Sequence, residues 1–182
     1  IVSVTTEQLQ ALSTSQLSQL KTTQIAVLTT DQMAAMTTSQ VSNLTTSQMV
    51  SLTTAQLSGL ETVDLAAIST TQMASLLTAQ IANLSTNQVV AFTTAQAANL
   101  KTAQLAALTT AQVAAMETDD LVAVTTAQLV AMTTAQVAVL TTDQVLSLTT
   151  EQTASLKTAQ IAAMTTKQVV ALTTAQVSTL TT

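Results

Sequence analysis

A motif of eight residues is repeated along the whole sequence, and it restricts the folds that the chain can adopt. Residues 108–116 read LTTAQVAAM, and residues 132–140 read MTTAQVAVL. A threonine stands at every eighth position from Thr6 to Thr182, with no residue inserted or lost between repeats. A fixed short period of this kind predicts that one small structural unit is copied along the chain and stacked on its neighbours.

The other positions of the octad have equally fixed characters. The second residue after each threonine is glutamine from Gln8 to Gln176, with Asp64 and Asp120 as the two exceptions. The next residue is large and apolar except at Ala97 and Thr153, and a second large apolar residue follows three positions later. Each octad therefore offers two core side chains separated by small residues.

A longer period of 56 residues overlies the octads. Glu61 and Asp64 recur as Glu117 and Asp120, and Lys101 recurs as Lys157. The pattern favours duplication of a block of seven octads, and a structural superperiod of seven octads is the alternative.

The paired threonines predict where each helix begins. Threonine is a weak residue inside helices but a good N-cap, because its hydroxyl accepts a backbone N–H of the first turn. If Thr109 caps, Gln112 completes a capping box; if Thr110 caps, the helix runs from Ala111 to Met116. We favour the second register, because only the second threonine is invariant. The first is replaced at Lys21, Glu61, Leu77, Lys101, Glu117 and Lys157.

The sequence thus predicts an all-α solenoid with one helix of about six residues per octad. Such helices are unstable alone and depend on stacking, and three octads per turn is our working value. One continuous helix is disfavoured because eight residues advance about 800°, so the apolar stripe would wind around it. A β-solenoid is the main alternative, since Thr and Val suit strands; helix bundles and coiled coils are less favoured.

The repeated glutamine has two interpretations. Its amide can support the start of its own helix, or it can bond backbone carbonyls of the adjacent coil as a ladder. Aspartate keeps an acceptor oxygen but loses the NH₂ donor. If the donor matters, the octads of Asp64 and Asp120 are expected to be weak.

The composition argues against most chemistry. The chain has no His or Cys, four Lys against nine carboxylates, and a net charge of −5. We therefore expect no enzyme, no catalytic, cofactor-binding or metal-binding residues, no cofactor and no nucleic-acid partner. Glu117, Asp119 and Asp120 form the densest acidic spot, which we interpret as a solvated helix start rather than a cation site. No apolar run is long enough to span a membrane.

The phrase at 108–116 resembles the octapeptide arrays (LTTAQVAAL-type) of large bacterial surface or secreted proteins, which are often labelled haem-utilisation or adhesion proteins. The resemblance covers the whole chain and implies a secreted, repetitive, structural role. The absence of histidine gives no support to haem binding.

We therefore expect residues 1–182 to be a single uninterrupted solenoid and a segment of a longer chain. Its expected function is an extracellular rod, stalk or filament at a bacterial surface. The expected partners are copies of itself, or neighbouring repeats of the same chain, placed end to end. The alternatives are a threonine-lined module that binds ice or polysaccharide, and a protein-binding scaffold.

Overall fold

The computed structural model describes residues 4–180, and the regular structure in that part is entirely helical. It comprises 22 short α-helices. They are α1 (Thr6–Gln10), α2 (Thr14–Ser18), α3 (Thr22–Ile25), α4 (Thr30–Ala34), α5 (Thr38–Ser42), α6 (Thr46–Ser51), α7 (Thr54–Ser58), α8 (Thr62–Ala67), α9 (Thr70–Ser75), α10 (Thr78–Ala82), α11 (Thr86–Val90), α12 (Thr94–Asn99), α13 (Thr102–Ala107), α14 (Thr110–Ala115), α15 (Thr118–Ala123), α16 (Thr126–Ala131), α17 (Thr134–Ala138), α18 (Thr142–Ser147), α19 (Thr150–Ser155), α20 (Thr158–Ala162), α21 (Thr166–Ala171) and α22 (Thr174–Thr179).

The predicted all-α class is confirmed. Each octad forms one helix of four to six residues, in agreement with the expected length. The β-solenoid alternative is wrong for residues 4–180, which contain no strand.

An extended residue precedes each helix, and in many of the six-residue helices a second extended residue follows it and turns the chain towards the next helix. Around α14, Thr109 has φ −68° and ψ 160°, and Met116 has φ −57° and ψ 140°. No residue of the described chain has a positive φ. The bends therefore need no Gly or Asn, which explains how an octad without such residues can still turn a corner.

The chain forms two compact units, residues 1–92 and residues 93–182. In both units each helix packs on the helix three octads away, as in α1 with α4 and α12 with α15. One turn therefore takes three octads, or 24 residues, as the working value predicted. A period of seven octads does not coincide with this turn, which favours duplication as the origin of the 56-residue repeat.

The two apolar positions of each octad form the core inside the turns. Leu105 and Val113, at the first position, have 0% exposure, and Leu108, at the second, has 3%. The exceptions Ala97 and Thr153 are also fully buried. The hydroxyl of Thr153 donates to the carbonyl of Thr149 at 2.8 Å, so this polar group is satisfied within its own helix.

Candidate functional site: a glutamine ladder between turns

Each helix start is held by a reciprocal pair of hydrogen bonds between the first threonine and the glutamine. In α14 the N–H of Gln112 donates to Thr109 Oγ1 at 3.2 Å, and the N–H of Thr109 donates to Gln112 Oε1 at 2.7 Å. This capping box satisfies two N–H groups that a helix start otherwise leaves unpaired.

The favoured capping register is therefore wrong by one residue. Thr109 is the N-cap, whereas Thr110 is the first residue of α14, which ends at Ala115 rather than Met116. Where the cap is Lys or Leu and the glutamine is present, half of the box remains: the N–H of Lys21 donates to Gln24 Oε1 at 2.8 Å. The glutamine lets the cap residue vary without losing every bond.

The same glutamine also joins two turns. Gln136 Nε2 donates to the carbonyls of Leu105 and Leu108, at 3.0 and 2.7 Å. These carbonyls lie 31 and 28 residues earlier, at the end of α13, where a helix leaves its last C=O groups unpaired. Gln40, at the same position, donates to Leu9 and Leu12 at 2.9 and 2.8 Å.

The two interpretations of the glutamine are thus both correct, because one amide does both tasks. Its oxygen caps its own helix and its nitrogen caps the end of a helix in the preceding turn. The glutamines that do this are nearly inaccessible; Gln136 has 2% exposure. Buried amides must be fully bonded to be tolerated, so we call this set of inter-turn bonds the glutamine ladder.

Asp64 and Asp120, which have no amide donor, interrupt the ladder. Each aspartate is followed by a fully buried apolar residue, and its own side chain is 3% exposed. The N-cap residues of their helices α8 and α15 are Glu61 and Glu117, which make no side-chain cap bond. Both halves of the capping box are therefore lost in the same two octads.

The two aspartates differ in how their charge is satisfied. Thr38 Oγ1 donates to Asp64 Oδ1 at 2.7 Å, from α5, on which α8 packs. In contrast, Asp120 Oδ2 is buried without a hydrogen-bond partner in the described chain. Burial, together with the neighbouring charges of Glu117 and Asp119, raises the pKa of Asp120 to about 6.

Glu117, Asp119 and Asp120, the densest acidic spot of the sequence, lie at the start of α15. Within residues 4–180 no three carboxylates converge in a way that could hold a metal ion. No helix in this stretch is sufficiently long and apolar to cross a bilayer.

The second threonine of the octad lies at the surface in many repeats and is half-buried in others, such as Thr118 and Thr126. Thr110, Thr134 and Thr158 are exposed and begin α14, α17 and α20, which pack in sequence. Because the first threonine supplies the cap, the hydroxyl of the second threonine does not cap the helix. Thr38, a second threonine, donates its hydroxyl to a carboxylate. The sequence predicted a threonine-lined face, but the capping role was assigned to the wrong threonine of each pair.

An open groove of about 340 Å³ lies in the second unit beside α15. Its lining includes Val122, Val124, Thr149 and Glu151. It contains no residue pair suited to nucleophilic or acid–base chemistry, since the only titratable side chain among its lining residues is Glu151.

The fold and the ladder define a class: an all-α solenoid of octapeptide repeats, in which each turn caps the turn before it. A family model described as the ALTTAQ repeat matches residues 1–38, 57–94, 113–150 and 151–182. These matches cover most of the chain, which therefore belongs to the ALTTAQ repeat family. No curated protein matches the chain.

Proposed function

We propose that the chain is a non-catalytic structural segment of an extracellular rod, stalk or filament at a bacterial surface. Membership of a repeat family and the stacked helices support a structural role. The resemblance to arrays of surface and secreted proteins supports the location.

The observation that carries this proposal is the unmatched bonding capacity of the outermost turns. Within residues 4–180 the Nε2 groups of Gln8, Gln16 and Gln24 have no acceptor, whereas Gln32 Nε2 already donates to the carbonyl of Val4 at 2.6 Å. At the opposite end Val169 and Val177 are 48% and 49% exposed, although this position is fully buried in the inner turns.

The two ends are chemically complementary. One presents amide donors, and the other presents uncovered apolar side chains together with helix-end carbonyls. Within each unit the same groups meet through the glutamine ladder, as Gln40 and Gln136 show. Because the contact between turns is of the same kind along the ladder, further repeats or a second copy placed end to end can lengthen the architecture without a new kind of contact.

Electron microscopy and sedimentation of the purified chain test the end-to-end contact. The expected result is linear assemblies that lengthen with protein concentration. The matched control is Val169→Glu with Val177→Glu, which places charges on the uncovered face while leaving the inner core intact. Dispersed monomers of the unmodified chain at high concentration, or assemblies that the double variant leaves unchanged, would contradict the proposal.

The proposed location has its own test. An antibody against the repeat should label intact cells of the source organism as strongly as permeabilised cells. Labelling that requires permeabilisation would place the protein inside the cell and overturn this part of the proposal.

The exposed threonine column favours a second candidate function, binding of ice or polysaccharide. Thr110, Thr134 and Thr158 repeat once per turn and are not used as caps. The spacing of a regular row of threonine hydroxyls and methyl groups could match the spacing of water molecules in ice or of sugar units in a polysaccharide.

Thermal hysteresis and glycan-array measurements distinguish this candidate from a purely structural role. Thr110→Ala, Thr134→Ala and Thr158→Ala together should abolish any signal without unfolding the helices, since alanine is well tolerated at the first helical position. A null result for the unmodified chain in both assays removes this candidate.

A further inference from the structure

Asp120 occupies a place that the fold builds for a neutral amide. At the equivalent position of other octads a glutamine lies buried and fully bonded, as Gln136 does. Asp120 is 3% exposed, and its Oδ2 has no hydrogen-bond partner within residues 4–180. A buried carboxylate oxygen without a hydrogen-bond donor loses the hydration that it had in the unfolded chain, and no protein hydrogen bond replaces it.

Asp64 shows how the same substitution can be accommodated. Its carboxylate receives the hydroxyl of Thr38 at 2.7 Å, from a threonine 26 residues earlier. Thr94 stands 26 residues before Asp120 on α12, which packs against α15, yet Asp120 Oδ2 remains unpaired. The two octads are near duplicates in sequence, so Asp64 is a matched internal reference for Asp120.

The charges around Asp120 have the same sign as its own. Its octad contributes Glu117 and Asp119, and α18, which packs on α15, contributes Asp143. The other packed helix, α12, contains no ionisable side chain. No cation on these elements offsets the buried carboxylate, so the neutral acid is the form that suits this position.

We propose that Asp120 makes the packing of α15 between α12 and α18 sensitive to pH. This packing is weak at neutral pH and becomes more stable when the environment becomes mildly acidic. Loss of the proton places an unpaired charge between turns and favours local opening. Gain of the proton removes that charge and provides an O–H donor where the ladder normally has an N–H donor.

The direction follows from the raised pKa of the folded state. Asp120 titrates at about 6 when folded and near 3.8 when exposed. The contribution of Asp120 to the stability of the second unit is therefore least favourable above pH 6. It improves as the pH falls through 6 and is fully regained below 3.8. Between pH 7.5 and 5.0 the linkage corresponds to about a tenfold decrease in the opening equilibrium.

Amide hydrogen exchange at pH 7.5 and 5.0, corrected for the intrinsic rate, tests the proposal. We expect protection of the Leu121 and Val124 amides in α15 to increase about tenfold at the lower pH. Asp120→Asn, a neutral side chain of the same size, should give high protection at both values. Asp64→Asn should leave the pH response of α15 intact.

Carbon-13 NMR titration of the Asp120 carboxyl in the unmodified chain gives a second readout that does not depend on a variant folding. A midpoint near 6 supports the proposal, whereas a midpoint near 4 overturns it. Protection in α15 that is equal at both pH values, or a pH response that survives in Asp120→Asn, overturns it as well.

Discussion

Gln136 and Leu108 lie 28 residues apart in sequence and are joined by a 2.7 Å hydrogen bond from the side-chain Nε2 to the main-chain carbonyl. The bond connects the start of one helix with the end of another in the preceding turn. Because the partner is backbone, the contact does not depend on which side chain the earlier octad carries. The ladder therefore tolerates Leu, Met, Val or Ile in the core while keeping its geometry.

Removing a ladder glutamine should cost far more than removing the same residue from the first turn. Gln136→Ala leaves the buried carbonyl of Leu108 and the N–H of Thr133 without partners and removes one of the two donors to the Leu105 carbonyl, at a cost of roughly 2–4 kcal/mol. Gln8→Ala loses only a cap bond and should cost less than about 1 kcal/mol. Urea unfolding of both variants checks this, and equal losses would contradict an inter-turn role.

The cap and the residue after it should respond differently to the same change. Thr109→Ala removes a cap hydroxyl and should destabilise the chain by about 1 kcal/mol. Thr110→Ala should be neutral or slightly stabilising, because alanine is the better helix former. Thermal unfolding of the two variants compares them directly, and the reverse order would restore the register that the structure rejects.

Restoring the consensus at the first interruption should strengthen it. Asp64→Gln provides an amide donor that the ladder register directs to the carbonyls of Met33 and Met36, and Glu61→Thr provides the missing cap. We expect the double variant to gain about 1–2 kcal/mol. Glu61→Thr alone is the control, and no difference between the two would show that the absent donor is not limiting.

The single glycine is not required by its conformation. Gly59 has φ −81° at the end of α7, and an added Cβ would lie 3.4 Å from the Ala55 carbonyl and 3.7 Å from Thr30 Cβ. These are ordinary contacts, so Gly59→Ala should stabilise the chain by about 0.5–1 kcal/mol through lower unfolded-state entropy. A lower unfolding midpoint in the variant would reveal a steric demand at this position.

Much of the fold could be predicted from the period alone. An eight-residue repeat does not fit a straight helical seam, so the chain had to break into short helices, and two core residues per octad had to be covered by other octads. The cap register could not be read in the same way. Invariance was attributed to capping, but Lys21 serves as a cap residue because Gln24 accepts its N–H, so the capping position is the variable one.

The role of the glutamine was also only half visible in the sequence. Its spacing from Thr109 predicted the local bond, but the acceptors at Leu105 and Leu108 depend on how many octads complete a turn. Likewise, Asp64 and Asp120 look identical in sequence, and only the packed structure shows that one receives a hydroxyl while the other leaves an oxygen unpaired. Such differences arise from tertiary packing, which local patterns do not encode.

Exchange of the glutamine side-chain amide protons tests the ladder most directly, because the same residue type occurs in bonded and unbonded settings within one molecule. In a chain labelled with ¹⁵N at glutamine, the Nε2 protons of Gln136 and of the other inner-turn glutamines should exchange at least about tenfold more slowly than a free amide. Those of Gln8, Gln16 and Gln24 should exchange at the free rate. Uniformly fast exchange of all glutamine side chains would contradict the ladder and with it this account of how the turns are held together.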